Sequence, residues 1–342
     1  MPMLNRLRWT SAAALLAVMA GTAGAQAVIS NGTIRMGVNA LGHLNTGSAP
    51  QITGTTVVGL RLITAAGDYE STADGCLCEG WGVGTRVGGV VTSSGWANEA
   101  SGNSNLTGES FSSTASTATS TVRLSAGASL RVTHTYKPSA VPNLYEVEVK
   151  ITNFGATDIA DVVYRRVMDW DVSPTQFNEN VRISGWPAAN LIGSGSNGFL
   201  SSKPLDVSGG CIIGGVCNGN FETVTGDDRG SFFDFSFGAL TAGSSRTFTT
   251  FYGAAPTLDG LLSSLGAVGA EIYTAAWCAG AGGAGATKCN GKAGPAVFGY
   301  GFKGVGGAPP PELGGVVPEP STYALMATGL IGLVGISRRR RL

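Results

Sequence analysis

The sequence predicts a mainly β protein: an antiparallel β-sandwich-like domain with one short packing helix, followed by a C-terminal transmembrane helix. Three observations predict it. Glycine supplies 53 of 342 residues and charged side chains only 13%, and Ser and Thr are abundant, a composition of strands joined by tight turns. Several runs alternate apolar and polar residues with period two, whereas a single stretch has helical spacing. Enough Val, Ile, Leu, Phe and Trp are present to fill a core, which excludes a disordered tract.

The elements follow in chain order. Residues 28–38 read as a strand pair turning at Ser30-Asn31-Gly32, and 57–64 as a further strand. Residues 75–84 combine glycines, Cys76, Cys78, Glu79 and Trp81 and read as a loop, either a stapled turn or part of a binding surface. Residues 110–121 are mostly Ser and Thr; they suit solvent-facing strand positions, with a glycosylated stretch as the other reading. Residues 130–136 alternate, as do 145–151, where Tyr145, Val147, Val149 and Ile151 share one face and the charges share the other.

Residues 162–172 form a richer strand. Val162, Tyr164, Arg166, Met168, Trp170 and Val172 fall on one face, so Arg166 needs a partner among large apolar groups. Arg165, Asp169 and Asp171 form a charged row on the other face, and Pro174 ends the strand. Strands are expected over 232–237, 246–252 and 296–303. Between them Thr257 is a fitting N-cap, with Asp259 in the first turn and Leu258, Leu261, Leu262, Leu265 and Val268 at helical spacing. Residues 304–317, with Pro309-Pro310-Pro311, read as a linker. The secreted β-rich domain is thus expected over 28–303, as one sandwich or two.

The two ends carry targeting chemistry. Arg6 and Arg8 precede an apolar stretch, 12–20, and then Ala23, Ala25 and Ala27, so 1–27 reads as a signal peptide cleaved after Ala25 or Ala27. At the other end, Pro318-Glu319-Pro320 leads into an apolar run and the chain closes on Arg338, Arg339, Arg340, Arg341 and Leu342. The 17 residues of 321–337 would span roughly 25 Å as a helix, slightly short of a bilayer core, with the arginines holding the C-terminus on the cytoplasmic side. This ordered set over 318–342 resembles the PEP-CTERM sorting signal of Gram-negative bacteria, which exosortases recognise and process. The resemblance implies Sec-type export, a transient inner-membrane anchor, an exosortase-type enzyme as partner, and a final place at the cell surface or outside. Because such signals occur in bacteria that make extracellular polymer, it also implies a non-catalytic surface or matrix protein associated with exopolysaccharide and biofilm. The alternative is a carbohydrate-active enzyme or carbohydrate-binding protein on the sandwich scaffold.

Six of the 22 basic residues lie in the two end segments, leaving 16 against 22 acids from 26 to 337, a net of −6. Nucleic acid binding, which needs a basic footprint, is disfavoured. The six cysteines, Cys76, Cys78, Cys211, Cys217, Cys278 and Cys289, form an even set suited to disulfides in an exported chain. Proximity suggests Cys211–Cys217 and Cys278–Cys289, leaving Cys76 and Cys78 to bridge each other or pair elsewhere; a thiolate metal site is the less fitting alternative.

No catalytic residue is assigned. The chain has two histidines, His43 and His134, and no Gly-x-Ser-x-Gly elbow. Two Gly-x-Gly-x-x-Gly patterns, at Gly280 and Gly299, do not join a strand to a helix and match by glycine content. Carboxylates remain. Asp169, Asp171, Asp227 and Asp228 are read three ways: ion pairing with Arg165 and solvation, a calcium site of hard oxygens, or the acid and base of a glycosidase. No other cofactor is expected. Trp81, Trp96, Trp170, Trp186 and Trp277 are candidates for stacking on sugars.

Overall fold

A computed structural model describes residues 26–52, 56–223, 225–279 and 295–313. Residues 1–25 of the expected signal peptide, Cys289, the sorting motif and the expected 321–337 helix lie outside the described residues. Among those described, no helix is long and apolar enough to cross a membrane.

Among the described residues, the domain is built from antiparallel strands and one α-helix. In chain order the strands are β1 (Gln26–Ser30), β2 (Ile34–Asn39), β3 (Leu60–Thr64), β4 (Gly67–Glu70), β5 (Gly80–Val87), β6 (Val90–Asn98), β7 (Gly102–Ser104), β8 (Leu106–Ser113), β9 (Ala118–Leu124) and β10 (Leu130–Pro138). They continue with β11 (Leu144–Asn153), β12 (Val162–Asp169), β13 (Glu179–Ser184), β14 (Leu191–Gly195), β15 (Phe221–Glu222), β16 (Gly230–Ser236), β17 (Ser245–Ala255), α1 (Leu258–Ala267), β18 (Ile272–Cys278) and β19 (Val297–Lys303).

Three sheets result. A nine-stranded sheet runs β15-β13-β18-β19-β17-β11-β10-β9-β8, a six-stranded sheet β14-β16-β12-β5-β6-β7, and a four-stranded sheet β1-β2-β3-β4. The nine- and six-stranded sheets face each other across an aromatic core. Tyr164 of β12 meets Phe248 of β17 edge-on, Phe233 of β16 meets Tyr300 of β19, and Trp81 of β5 meets His134 of β10 with ring centroids 4.6 Å apart. The four-stranded sheet adds Ile29, Ile34, Met36, Val38, Leu60 and Leu62 to the same core. The period-two reading holds along β10, where Leu130, Val132, His134 and Tyr136 are buried and the residues between them are half-exposed, and along β11 over Val147, Val149 and Ile151.

The helix covers the other face of the nine-stranded sheet. Thr257 caps it by accepting from the Gly260 N–H, and Leu258, Leu261, Leu262 and Leu265 pack on Phe251, Tyr273, Trp277 and Val297. The first turn, at Ser30-Asn31-Gly32, forms where expected: Gly32 takes φ +91°, and Asn31 Oδ1 accepts the Thr33 and Ile34 amides.

Three expectations change. The 75–84 stretch is loop only as far as Glu79; Gly80 and Trp81 already belong to β5, beside β12. The strand at 162–169 has no solvated face, since every residue of β12 is buried. The segment after β14 covers its outer side: Arg165 donates to the carbonyls of Ser201 and Asp206, and Val167 packs with Leu200 and Phe232. Finally, residues 304–313 are not a free linker. Glu271 accepts the Gly304, Val305 and Gly307 amides, Glu312 accepts from the Ser184 and Tyr273 hydroxyls, and Val305 and Leu313 are buried.

Candidate functional site

Sheet register gathers the acids at one end of the sandwich. Asp169 ends β12, and its partner across the ladder is Gly230 of β16. Asp228 stands two residues before that partner, so the turn into β16 brings it beside Asp169. Asp171 follows β12 by two residues and its backbone N–H donates to Ser71 at 2.7 Å, which fixes the stretch against the loop after β4. Glu179 opens β13 in the other sheet, tied to the 227–228 turn by paired backbone bonds with Asp227.

Carboxylate oxygens of Asp169, Asp171 and Asp228 come within 4.8 Å of one another. Asp169 is 1% exposed, Asp171 and Glu179 are 0%, and Asp228 is half-buried and leads to the surface. Among the described residues, Asp169 Oδ1, both Asp171 oxygens, Glu179 Oε2 and Asp228 Oδ1 have no hydrogen-bond partner, while Glu179 Oε1 accepts the Val172 amide at 3.1 Å. The Cys76 sulfur lies 3.3 Å from Asp169 Oδ2, but a bridged sulfur carries no proton and satisfies nothing. Gly75 closes over the cluster: a Cβ there would stand 2.4 Å from Asp171 Oδ1.

The electrostatics follow from burial and like charge. Burial pushes Asp169 up to about 8, helped by Asp171 and Asp228. Burial likewise raises Asp171 to about 7, with Asp228, Asp74 and Glu70 adding to it, and Glu179 to about 10, with Asp171 and Asp169 adding to it. Asp228 is raised by burial and by Asp227.

The charged row expected on β12 does not pair internally. Arg165 is held instead by Asp234, directly opposite on β16, with Nε–Oδ1 at 2.8 Å and Nη2–Oδ2 at 2.5 Å. The neighbouring acids have other partners: Glu70 pairs with Arg61, and Asp74 accepts from Gln51, Ser173 and Gln176. Asp227 is not part of the cluster; its carboxylate is half-exposed and faces Arg229 at 3.4 Å. Glu179 is not marked by any motif in the sequence. The signal available was an acid between Asn178 and Asn180 at the start of a strand, with nothing local to pair it.

A second buried charge group lies between the sheets. Arg166 pairs with Glu79, the partner its apolar face requires, and Glu79 also accepts from Tyr252 Oη at 2.8 Å and the Leu44 amide at 2.6 Å. His134 Nε2 lies 3.2 Å from Tyr164 Oη, and burial together with Arg166 and His43 holds its pKa well below the usual value. His43 is buried and lowered too. These groups lie together inside the core, where His43 Nδ1 meets the Leu44 carbonyl at 2.8 Å.

Of the tryptophans, Trp81, Trp170 and Trp277 are core residues, while Trp96 and Trp186 are half-buried. Cys76 is bonded to Cys78 and Cys211 to Cys217; Cys278 is also disulfide-bonded, with its partner outside the described residues.

The last described residue, Leu313, sits just ahead of the tail, and a family of protein-sorting motifs matches residues 316–341. The chain carries a PEP-CTERM protein-sorting motif. A PEP-CTERM tail implies an exosortase processing partner and an exported, membrane-anchored precursor carried to the cell surface. No curated protein matches the chain. Among solved structures, a galactose mutarotase related enzyme from Lactobacillus acidophilus is similar at 9% identity and a TM-score of 0.29, covering 82% of this chain and 86% of that one. A likeness this loose carries neither fold nor activity across to the PEP-CTERM chain.

Proposed function

We propose that this chain is an exported surface or extracellular-matrix protein that acts by binding rather than catalysis and associates with exopolysaccharide. The observation that carries the reading is the sorting motif over 316–341, which begins three residues after the buried Leu313. A cut within the motif leaves the β domain whole, because the packed segment 304–313 stays with it. An acidic domain and disulfide-bonded cysteines suit life outside the cytoplasm. The burial of Asp169, Asp171 and Glu179 favours a non-catalytic role over glycosidase chemistry, which places two carboxyl groups on either side of a sugar in an accessible site.

Changing Pro318, Glu319 and Pro320 to alanine is expected to leave unprocessed precursor in the membrane fraction, seen by immunoblot; normal release would refute the exosortase route. For the binding role, the released protein is expected to co-sediment with exopolysaccharide from its own host. Absence of binding to that polymer removes this part of the reading and leaves the sorting route standing.

A further inference from the structure

We propose that Asp169, Asp171 and Asp228 hold a calcium ion, with Glu179 as a fourth carboxylate at the same site. Asp171 and Glu179 are fully buried, and between them three carboxylate oxygens lack a hydrogen-bond partner among the described residues, Glu179 keeping one bond from the Val172 amide to Oε1; Asp169 and Asp228 contribute one more each. A buried carboxylate that has neither hydrogen bonds nor a counter-charge is costly. The nearby guanidinium groups are committed elsewhere: Arg165 to Asp234, Arg61 to Glu70, and Arg229 to Asp227 and to the carbonyls of Ile213, Glu179 and Thr225.

Geometry and chemistry select the ligand. Calcium takes oxygen ligands at about 2.3–2.6 Å, so ligands on opposite sides of it stand roughly 5 Å apart. The three aspartates offer oxygens within 4.8 Å of one another. All the donors are hard carboxylate oxygens; the nearest sulfurs are locked in the Cys76–Cys78 bridge, and no histidine belongs to the cluster. Half-buried Asp228 gives the ion a way in.

The placement gives the ion a role. Asp169 and Asp228 belong to β12 and the turn into β16, in the six-stranded sheet, while Glu179 opens β13 in the nine-stranded sheet. Asp171 joins the loop held against Ser71. One ion would therefore fasten the two layers and this loop at a single end of the sandwich. This inference stands on the side chains and does not depend on the polymer-binding reading.

The test uses the full chain in mild detergent, stripped with EDTA, then titrated with calcium chloride at neutral pH by calorimetry and thermal unfolding. Saturating calcium is expected to raise Tm by about 5 °C or more. Asp228→Asn, on the half-exposed side, is expected to weaken calcium binding by about tenfold or more. Asp171→Asn is expected to lose the calcium response. Asp227→Asn should respond as wild type does. The proposal is overturned if the folded wild-type protein shows neither heat nor Tm shift with calcium, or if Asp228→Asn and Asp171→Asn respond as fully as wild type.

Discussion

Arg166 and Glu79 illustrate what single buried charges do in this core. Each is at most 1% exposed, and Glu79 also serves Tyr252 and the Leu44 amide. Removing one partner strands the other, so Glu79→Ala is expected to cost about 3–5 kcal/mol in denaturant unfolding, and Glu79→Gln combined with Arg166→Met to recover much of it. His134 gives a pH prediction at the same scale. It is faced by Arg166, Tyr164, Tyr136, Trp81 and, through charge, His43. Its folded pKa lies well below 6.5, so the unfolded chain takes up the proton first. The stability that neutral His134 contributes is fully present above about pH 6.5 and is lost as pH falls from there through the folded pKa. Unfolding curves at pH 7.5 and 5 should therefore show a larger loss for wild type than for His134→Gln; equal losses would contradict it. The need of Arg166 for a partner was readable from its place on an apolar strand face. Which acid answers it was not, because Glu79 arrives from a different strand, 87 positions earlier in the chain.

At the scale of elements, legibility depended on whether one face met water. α1 was readable in full, cap and stripe together, because Thr257 and the leucines are local signals. β10 and β11 were readable because their outer faces are wet. β12 was misread because a covering segment hides its second face, and charge on a strand looks solvated until something is seen above it. Arg165 stacks its guanidinium 4.9 Å from the Phe232 ring centroid while Asp234 holds it from the next strand, a pairing set by register alone. The 304–313 segment looked like a linker for the same reason: glycine and proline content says nothing about the Glu271 carboxylate that catches three of its amides. Leu313→Ala is expected to destabilise the domain by about 2–4 kcal/mol, and a chain ended at Lys303 to melt lower than one ended at Gly315. Unchanged melting in the shorter chain would mean that the segment contributes only packing at the surface.

At the scale of the whole molecule, address and architecture were legible from different parts of the chain. The tail declared its sorting class in a few residues, and alternation declared a β protein. Asp169, Asp171 and Asp228 stood out as carboxylates, while Glu179 comes near them only through the facing of two sheets. The start of β1 adds a constraint on export. Gln26 and Ala27 pair with Asn39 and Val38, so of the two expected cleavage points a cut after Ala25 would keep the strand whole and one after Ala27 would shorten it. The most direct test of the account is the intact mass of the protein released by its host. The released chain is expected to begin at Gln26, retain residues through Leu313 and lack the arginines at 338–341. Released protein that still carries those arginines would contradict it.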